Sequence, residues 1–548
     1  MNCLNALDRE PLIKKVTQTT YDLIIIGGGI TGAGIALDAI SRGLSVLLLE
    51  KNDFASGTSS KSTKLIHGGL RYLKQFEIAL VHEVGRERAI VHQLAPHLVR
   101  SEKMLLPLIK DGTYGKILTS LGLMVYDVLA GVEKADQRKM LDKDETLQLE
   151  PLLKADILEG GGIYAEYRTD DARLTIEILK TAAQLGADVI NYAEVIDFQY
   201  EHGQISGVIW KDKFTGIKIN SKGRYTLSAT GPWVDELRKK NNSLMGKHLH
   251  PTKGVHIVVP HARFPIKQAV YFDVADGRML FAIPRGRITY IGTTDTDYFG
   301  DLNDVRTDLA DVEYLVEGVN HIFPEVKLTL ADVESTWVGL RPLIAEEGKS
   351  ASDLSRKDEI FESSTGLLSI AGGKLTGYRK MAERIVNRVV NKLSDSTGKE
   401  FKDCQTETLI LSGGVFKNAK EVDQFTIELS AKLAKHELSL FSEFLVSNYG
   451  RQTDVILDHM QSISENDPEI CMSLAELKFC LENEAVHSLL DFFDRRTGRL
   501  YFYIQSIEKI KQPALNYLSQ HLGWSKKREK QEIDELDRAI KLASRFQK

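Results

Sequence analysis

The run Tyr21-Asp22-Leu23-Ile24-Ile25-Ile26 is short, apolar and β-branched, stops at Gly27-Gly28-Gly29, and is followed by apolar residues at helical spacing through Arg42. A second apolar run, Leu44 to Leu49, ends on Glu50. Strand, glycine turn, helix and strand within about 30 residues read as one βαβ unit. In that setting Gly27-x-Gly29-x-x-Gly32, with an acid eighteen residues on, is a dinucleotide-binding pattern rather than a chance glycine cluster. Gly27 permits the tight turn, Gly29 lets backbone approach a pyrophosphate, and Gly32 lets the helix lie close to the strand. The first helical turn, with Ile30 and Thr31, presents unpaired N–H groups and the positive dipole end to the anion. Glu50 can accept hydrogen bonds from an adenosine ribose and would repel a 2′-phosphate, which disfavours NADP. Spacing alone does not choose between FAD and NAD, and a glycine turn that holds no nucleotide is the plainer alternative.

The rest of the chain narrows the function classes. Hydrophobic residues are 43% and charged residues 27% of the 548, ordinary globular usage that excludes wholesale disorder. Lys+Arg 71 against Asp+Glu 76 leaves a net charge of -5, no field for holding a nucleic acid, so any basic site is local. Cys3, Cys404, Cys471 and Cys480 form no CxxC and no metal-ligand spacing, which fits a reducing compartment and no metal. No apolar window of about 18 residues and no signal-peptide core at the start are found, so the chain is expected in the cytoplasm. A peripheral contact with the membrane stays open.

Residues 51–75, with apolar and aromatic residues among Ser, Thr, Lys and Gly, read as an active-site loop. From 76 to 150 the pattern is mostly helical; Leu118 to Val132, preceded by Lys110 and Lys116, reads first as core and second as a surface helix able to touch lipid. Between 160 and 390 strand-like runs such as Val189 to Phe198, Val255 to Val259, Met279 to Ile283, Ile288 to Gly292 and Leu367 to Ile370 predict a mixed sheet. Beyond Gly398 helical periodicity dominates. The expected organisation is an extension over 1–20, an α/β body over 21–398 with a Rossmann-type nucleotide domain interleaved with a mixed-sheet substrate domain, and an all-α domain over 399–548. Ala229-Thr230-Gly231-Pro232-Trp233 follows an apolar strand, and Ala371 to Arg379 precedes a helix from about Thr376 to Val390 whose N-terminus could face a flavin ring. No second dinucleotide fingerprint is seen, so a bound nicotinamide in a separate domain is disfavoured.

The string from Gly57 to Leu73, GTSSKSTKLIHGGLRYL, resembles the signature of FAD-dependent glycerol-3-phosphate dehydrogenases of the aerobic, respiratory bacterial type. So do Thr169 to Leu174, Ala229 to Trp233, Gly292 to Asp295, Gly339 to Leu343 and Gly372 to Lys380, in that order, with a looser likeness through Asp494 to Gly498. The resemblance implies a glucose-oxidase/D-amino-acid-oxidase-like body, FAD as cofactor, hydride transfer from C2 of sn-glycerol 3-phosphate to flavin N5, dihydroxyacetone phosphate as product, and a membrane quinone as acceptor at the inner face of the cell membrane. It assigns the flavin to Thr58, Ser59, Ser62, Thr63, Lys64, Leu65, His67, Gly68 and Gly69, with Val195. Ala229, Thr230 and Gly231 join them, as do Gly372, Gly373, Lys374, Leu375 and Thr376. His67 is expected to shape the loop rather than react.

The same likeness points to Arg341 and Arg356 for the substrate phosphate, with Arg71, Tyr72, Arg278, Lys374 and His256 around it. Arginine suits a phosphate because its planar fork donates two charge-assisted hydrogen bonds at once. Two such contacts at roughly 1.5–3 kcal/mol each already reach a millimolar affinity. His256 has the most suitable ordinary pKa for taking the hydroxyl proton; a deprotonated Lys374 or a water could serve instead, with Arg341 acting electrostatically. The nearest rival is a glycerol-3-phosphate oxidase delivering electrons to oxygen, whose relatives carry a long insertion where only a short stretch here separates Ile344 from Ser355. A non-catalytic flavin-binding protein is the reading from another class. The oligomeric state is left open between a monomer and a homodimer.

Overall fold

The computed structural model describes residues 4–67, 78–110, 112, 138–346 and 358–546. The first apolar run forms the strand Thr20–Ile26, flanked in parallel by Val46–Leu49 and Lys218–Ser228. Asp188–Ile190 and Leu367–Ala371 extend this parallel core outward, and Glu359–Glu362 closes one edge antiparallel. A parallel strand is covered on both faces, which is why the run is apolar throughout rather than alternating. Leu23 and Ile25 point into one core, with the helices Ile30–Ser41, Asp171–Gln184 and Tyr378–Thr397. Ile24 and Ile26 point into another, under the hairpin Ala193–Glu201/Gln204–Asp212 and its buried Trp210. Close packing is built into the first of these layers: a Cβ on Gly34 would lie 2.8 Å from the Tyr378 ring.

The second sheet has ten strands among the described residues. Towards one edge of it Lys247–Pro260 runs antiparallel to Ser335–Glu346, with His256 opposite Trp337, Gly254 opposite Gly339 and Thr252 opposite Arg341; on its other side His256 faces Gly292. The strand period of two decides the rest. Val255, Ile257 and Val259 are buried with the helix Leu309–Ile322, and this leaves Gly254 and His256 on the opposite face, in the wall of a cavity.

One expectation about local structure changes. The stretch after residue 76 is helical only as Ile78–Leu94; Arg100–Ile109 is a strand, paired along its length with Leu158–Arg168. Met104 to Leu108 are buried on both faces, so no period of two marks the strand; Pro107 is tolerated because the pairing with Ala269–Asp273 ends at Leu105. Leu118 to Val132, with Lys116, lies outside the described residues. The region beyond Gly398 is helical, as expected, and packs on the second sheet: Leu477, Phe492 and Leu518 share one cluster with Leu106, Tyr164 and Trp337. Among the described residues no helix is long and apolar enough to cross a membrane, and no cluster of side chains could hold a metal ion.

Candidate active site

One large cavity, about 1050 Å³, lies between the two sheets, and its walls come from both. That exceeds the roughly 300–1,000 Å³ usual for a drug-sized ligand, leaving room for a dinucleotide together with a small substrate. At one end is the glycine turn. Gly27 has φ +112°, and a Cβ there would sit 2.6 Å from the Ala229 carbonyl oxygen. A Cβ on Gly32 would lie 1.9 Å from the Gly27 carbonyl oxygen, so Gly32 stands behind the turn and brings the helix against the strand. Gly29, Ile30 and Thr31 line the cavity. The Ile30 N–H donates to Ser59 Oγ at 2.9 Å, which docks the 57–63 loop onto the first helical turn; Thr58 Oγ1 fastens that loop to the Leu340 carbonyl at 2.8 Å.

Glu50 sits at the end of the second strand, where Oε2 accepts from the Gly28 N–H at 2.7 Å and Oε1 from the Asn52 N–H at 2.8 Å. Enclosure pushes its carboxyl up, against these two donors. Each oxygen keeps a lone pair, and two hydroxyls of a ribose are donors of the matching kind. Val195, Ala229, Thr230 and Gly231 continue the wall. The residues present therefore fit an adenine dinucleotide: a cradle that any Cβ would fill, a helix N-terminus, and an acceptor pair at the ribose end.

The other end is cationic. Arg341 presents its fork from the strand Ser335–Glu346, with Nη1 3.1 Å from Asp295 and Nη2 donating to Thr293 Oγ1 at 3.0 Å and the Thr294 carbonyl at 3.1 Å. Gly254 makes room for it: a Cβ there would be 2.5 Å from Nη2. His256 shares this wall. Its Nε2 is 3.0 Å from Thr63 Oγ1, its ring stacks on Trp337, and its buried Nδ1 has no partner among the described residues. Burial first, then the charges of Arg341 and Lys64, hold His256 well below the ordinary imidazole range, so it is neutral. In the tautomer whose Nε2–H donates to Thr63, Nδ1 carries the lone pair.

Arg278 lines the cavity from beside the strand Met279–Arg285, steadied by Asp276 at 2.6 Å and by the Tyr314 ring at 4.3 Å. Gly372, Gly373, Lys374, Leu375 and Thr376 line the wall ahead of the helix Tyr378–Thr397, and Thr376 Oγ1 donates to the His67 carbonyl at 3.1 Å. Burial, then Lys374 and Arg88, push His67 down to about 3. Ser62, Thr63 and Leu65 complete the loop wall. Lys64 does not face the cavity: its ammonium is buried against Asp171 at 2.5 Å and donates to the Ser60 carbonyl. Its place in the loop is structural, and its sequence neighbours gave no hint that Asp171 would meet it. Gly68, Gly69, Arg71, Tyr72 and Arg356 lie outside the described residues.

Several residues in the wall or behind it have no role assigned from sequence. Trp337 backs His256 and donates Nε1–H to the Ser62 carbonyl at 3.1 Å. Thr293 and Asp295 orient Arg341; they stand in a quoted motif, Gly292 to Asp295, whose role was not assigned. Lys51 lies 4.1 Å over the Trp233 ring at the mouth. Lys61 donates to Tyr501 Oη at 2.5 Å, so the helical region reaches the cavity wall; nothing around Tyr501 marked it.

Comparisons with known proteins agree with this architecture. A family model described as FAD dependent oxidoreductase matches residues 22–379, and one described as the C-terminal domain of alpha-glycerophosphate oxidase matches residues 404–529. The chain is 48% identical over 540 residues to an aerobic glycerol-3-phosphate dehydrogenase of Bacillus subtilis (strain 168), covering 98% of this chain and 97% of the relative. It is 47% identical to one from Staphylococcus aureus (strain USA300), covering 98% of each. Among solved structures, the glycerol-3-phosphate dehydrogenase from Bacillus halodurans complexed with FAD superposes with TM-score 0.84 at 41% identity, over 99% of each chain. An L-alpha-glycerophosphate oxidase from Mycoplasma pneumoniae, at 18% identity and TM-score 0.56 over 71% of this chain and 97% of that one, shares the fold.

Proposed function

The chain belongs to the FAD-dependent oxidoreductases and, among them, to the glycerol-3-phosphate dehydrogenases; from that premise we propose that it oxidises sn-glycerol 3-phosphate to dihydroxyacetone phosphate in the cavity between the two sheets and passes the electrons to a membrane quinone. The observation that carries the site assignment is that one cavity holds Glu50 and the glycine turn at one end and Arg341, His256 and Lys374 at the other. FAD, when bound, supplies the acceptor for the hydride leaving C2.

The chain's own residues do the rest. The Arg341 fork, held from one side by Asp295 and Thr293, keeps its direction without a substrate present, so little ordering is needed to meet a phosphate. Arg278 adds a second cation in the cavity wall, and Arg356 is proposed to add another. Loss of hydride from C2 requires the hydroxyl proton to leave as well. His256 is the proposed acceptor because it is neutral, lines the cavity and is held by Thr63 and Trp337. Once it takes the proton, the nearby Arg341 makes imidazolium unfavourable and favours passing the proton on. Lys374, in the same cavity, is placed to offset negative charge that builds up as the ketone forms. The turn Gly27–Gly29, Ile30, Thr31 and Glu50 hold the nucleotide end, and the loop Thr58–Leu65 with Gly372–Thr376 encloses the flavin.

Quinone as acceptor places the enzyme at the inner face of the membrane as a peripheral protein. Addition of sn-glycerol 3-phosphate to the holoenzyme without oxygen should bleach the flavin absorbance, and a soluble quinone should restore it. No bleaching would overturn the substrate. Stoichiometric peroxide in air, with slow quinone reduction, would replace the dehydrogenase reading by the oxidase one, which the name of the C-terminal family keeps in view. Protein that never sediments with anionic vesicles at low salt would remove the peripheral contact.

A further inference from the structure

The helical region carries one turn of π-helix, Asp491–Arg496, in which the wider winding lets two consecutive arginines reach the same carboxylate. That carboxylate is Asp53, in the segment between Glu50 and the flavin loop. Arg495 Nε is 2.5 Å from Asp53 Oδ2, and Arg496 clasps the group with both ends of its fork, Nη1 to Oδ2 at 2.7 Å and Nη2 to Oδ1 at 2.8 Å. Asp53, Arg495 and Arg496 are all buried, and none lines the cavity. Burial works against the charge on Asp53, but the two arginines outweigh it and hold the carboxyl below the usual range.

What Asp53 holds is the floor of the nucleotide end. The next residue, Phe54, is fully buried beneath the glycine turn, 2.8 Å from where a Cβ on Gly28 would be, and the Ala55 N–H donates to the Gly28 carbonyl at 3.0 Å. Asn52, the residue before Asp53, donates its N–H to Glu50, and its carbonyl accepts from the Tyr192 N–H at 2.8 Å. Tyr192 Oη then donates to Asp491 at 2.6 Å, in the same π turn. Glu50, Gly28 and the helical region are thus linked through two short routes, one through Asp53 and one through Tyr192.

We infer that Arg495 and Arg496 are positioning residues for the cofactor's ADP end: they fix the Glu50–Ala55 segment against the glycine turn, so the helical region takes part in the nucleotide site through two residues that do not line it. This rests on the assignment of the ADP end to Glu50 under Proposed function. The test uses the full-length protein stripped of FAD and measures dissociation constants for FAD and for ADP competing with it, together with KM for sn-glycerol 3-phosphate at saturating FAD. Arg496→Gln is expected to weaken FAD and ADP alike by at least tenfold while that KM stays within twofold. Because a buried carboxylate left half-paired can unfold a protein, Tyr192→Phe is the milder variant; it should fold normally and weaken both ligands about threefold. Folded variants with parental ADP affinity, or Tyr192→Phe unchanged when Arg496→Gln does not fold, would overturn the inference. So would a KM shift as large as the ADP shift, which would mark general loosening. Parental protein that binds FAD without competition from ADP would instead sink the assignment of the ADP end, and this inference with it.

Discussion

His256 lies flat against Trp337, ring centroids 4.7 Å apart and planes 10° from parallel. The stack and the Thr63 hydroxyl hold the imidazole on two sides and fix its orientation. Trp337→Leu removes the stack and the bond to the Ser62 carbonyl. We expect the rate of flavin bleaching by substrate to fall about tenfold, on the order of 1.4 kcal/mol of orientation, with KM changed less than threefold. Stopped-flow absorbance reads both.

Arg341→Gln should act on the phosphate. Losing charge-assisted contacts of about 1.5–3 kcal/mol lowers kcat/KM for sn-glycerol 3-phosphate roughly 10- to 150-fold. Oxidation of unphosphorylated glycerol, slow in the parent, should change little, so the preference between the two collapses. Equal losses for both substrates would move Arg341 from binding to the reacting centre.

Gly254→Ala tests the same arginine from behind. The new methyl would lie 2.5 Å from Nη2 and 2.7 Å from Thr293 Oγ1, both far ends of side chains that can shift. The fold should survive with a melting temperature within a few degrees, while KM for the phosphorylated substrate rises at least fivefold. A parental KM would show that the fork has slack.

Glu50→Gln keeps the size of the side chain but gives up one of two acceptors, so either the Gly28 or the Asn52 N–H loses its partner. Leaving such a group unpaired costs about 1–3 kcal/mol. Purified protein should retain less flavin, with an FAD dissociation constant raised about tenfold or more by fluorescence titration.

Acid should loosen the fold through His97. It is fully buried, neither ring nitrogen has a partner among the described residues, and burial with Arg173, Lys180 and Arg100 nearby pushes it down to about 3. In the unfolded chain it titrates near 6.5. Its contribution is therefore complete above about pH 6.5 and is lost as pH falls towards about 3, at about 1.4 kcal/mol per pH unit. In urea denaturation, His97→Leu should narrow the stability difference between pH 7 and pH 5 by about 2 kcal/mol. An unchanged difference would mean that water reaches the ring.

The parts of the fold that were legible in the sequence are those set by local rules. Ile24, Ile25 and Ile26, the glycines and Glu50 follow one another closely, and strand, turn and helix each leave their own period. Arg100–Ile109 was misread because burial on both faces erases the alternation that identifies a strand. For the cavity, residues in recurring strings such as Thr58 to Thr63 and Gly372 to Thr376 could be named in advance. Trp337 could not, because its use depends on register: it matters only by facing His256 across two antiparallel strands. Lys64 shows the converse. It stands in the most telling string of the chain, yet its ammonium serves Asp171, a partner 107 residues away that no local pattern announces.

The bond from Lys61 to Tyr501 spans 440 positions of the chain. On a ribosome, this loop of the cavity wall is made early and its tether almost last. Until Tyr501 has left the exit tunnel, Lys61 has no hydroxyl to grip and the pocket stays open on that side. A chain truncated before Tyr501 is therefore expected to retain less flavin than the full-length protein.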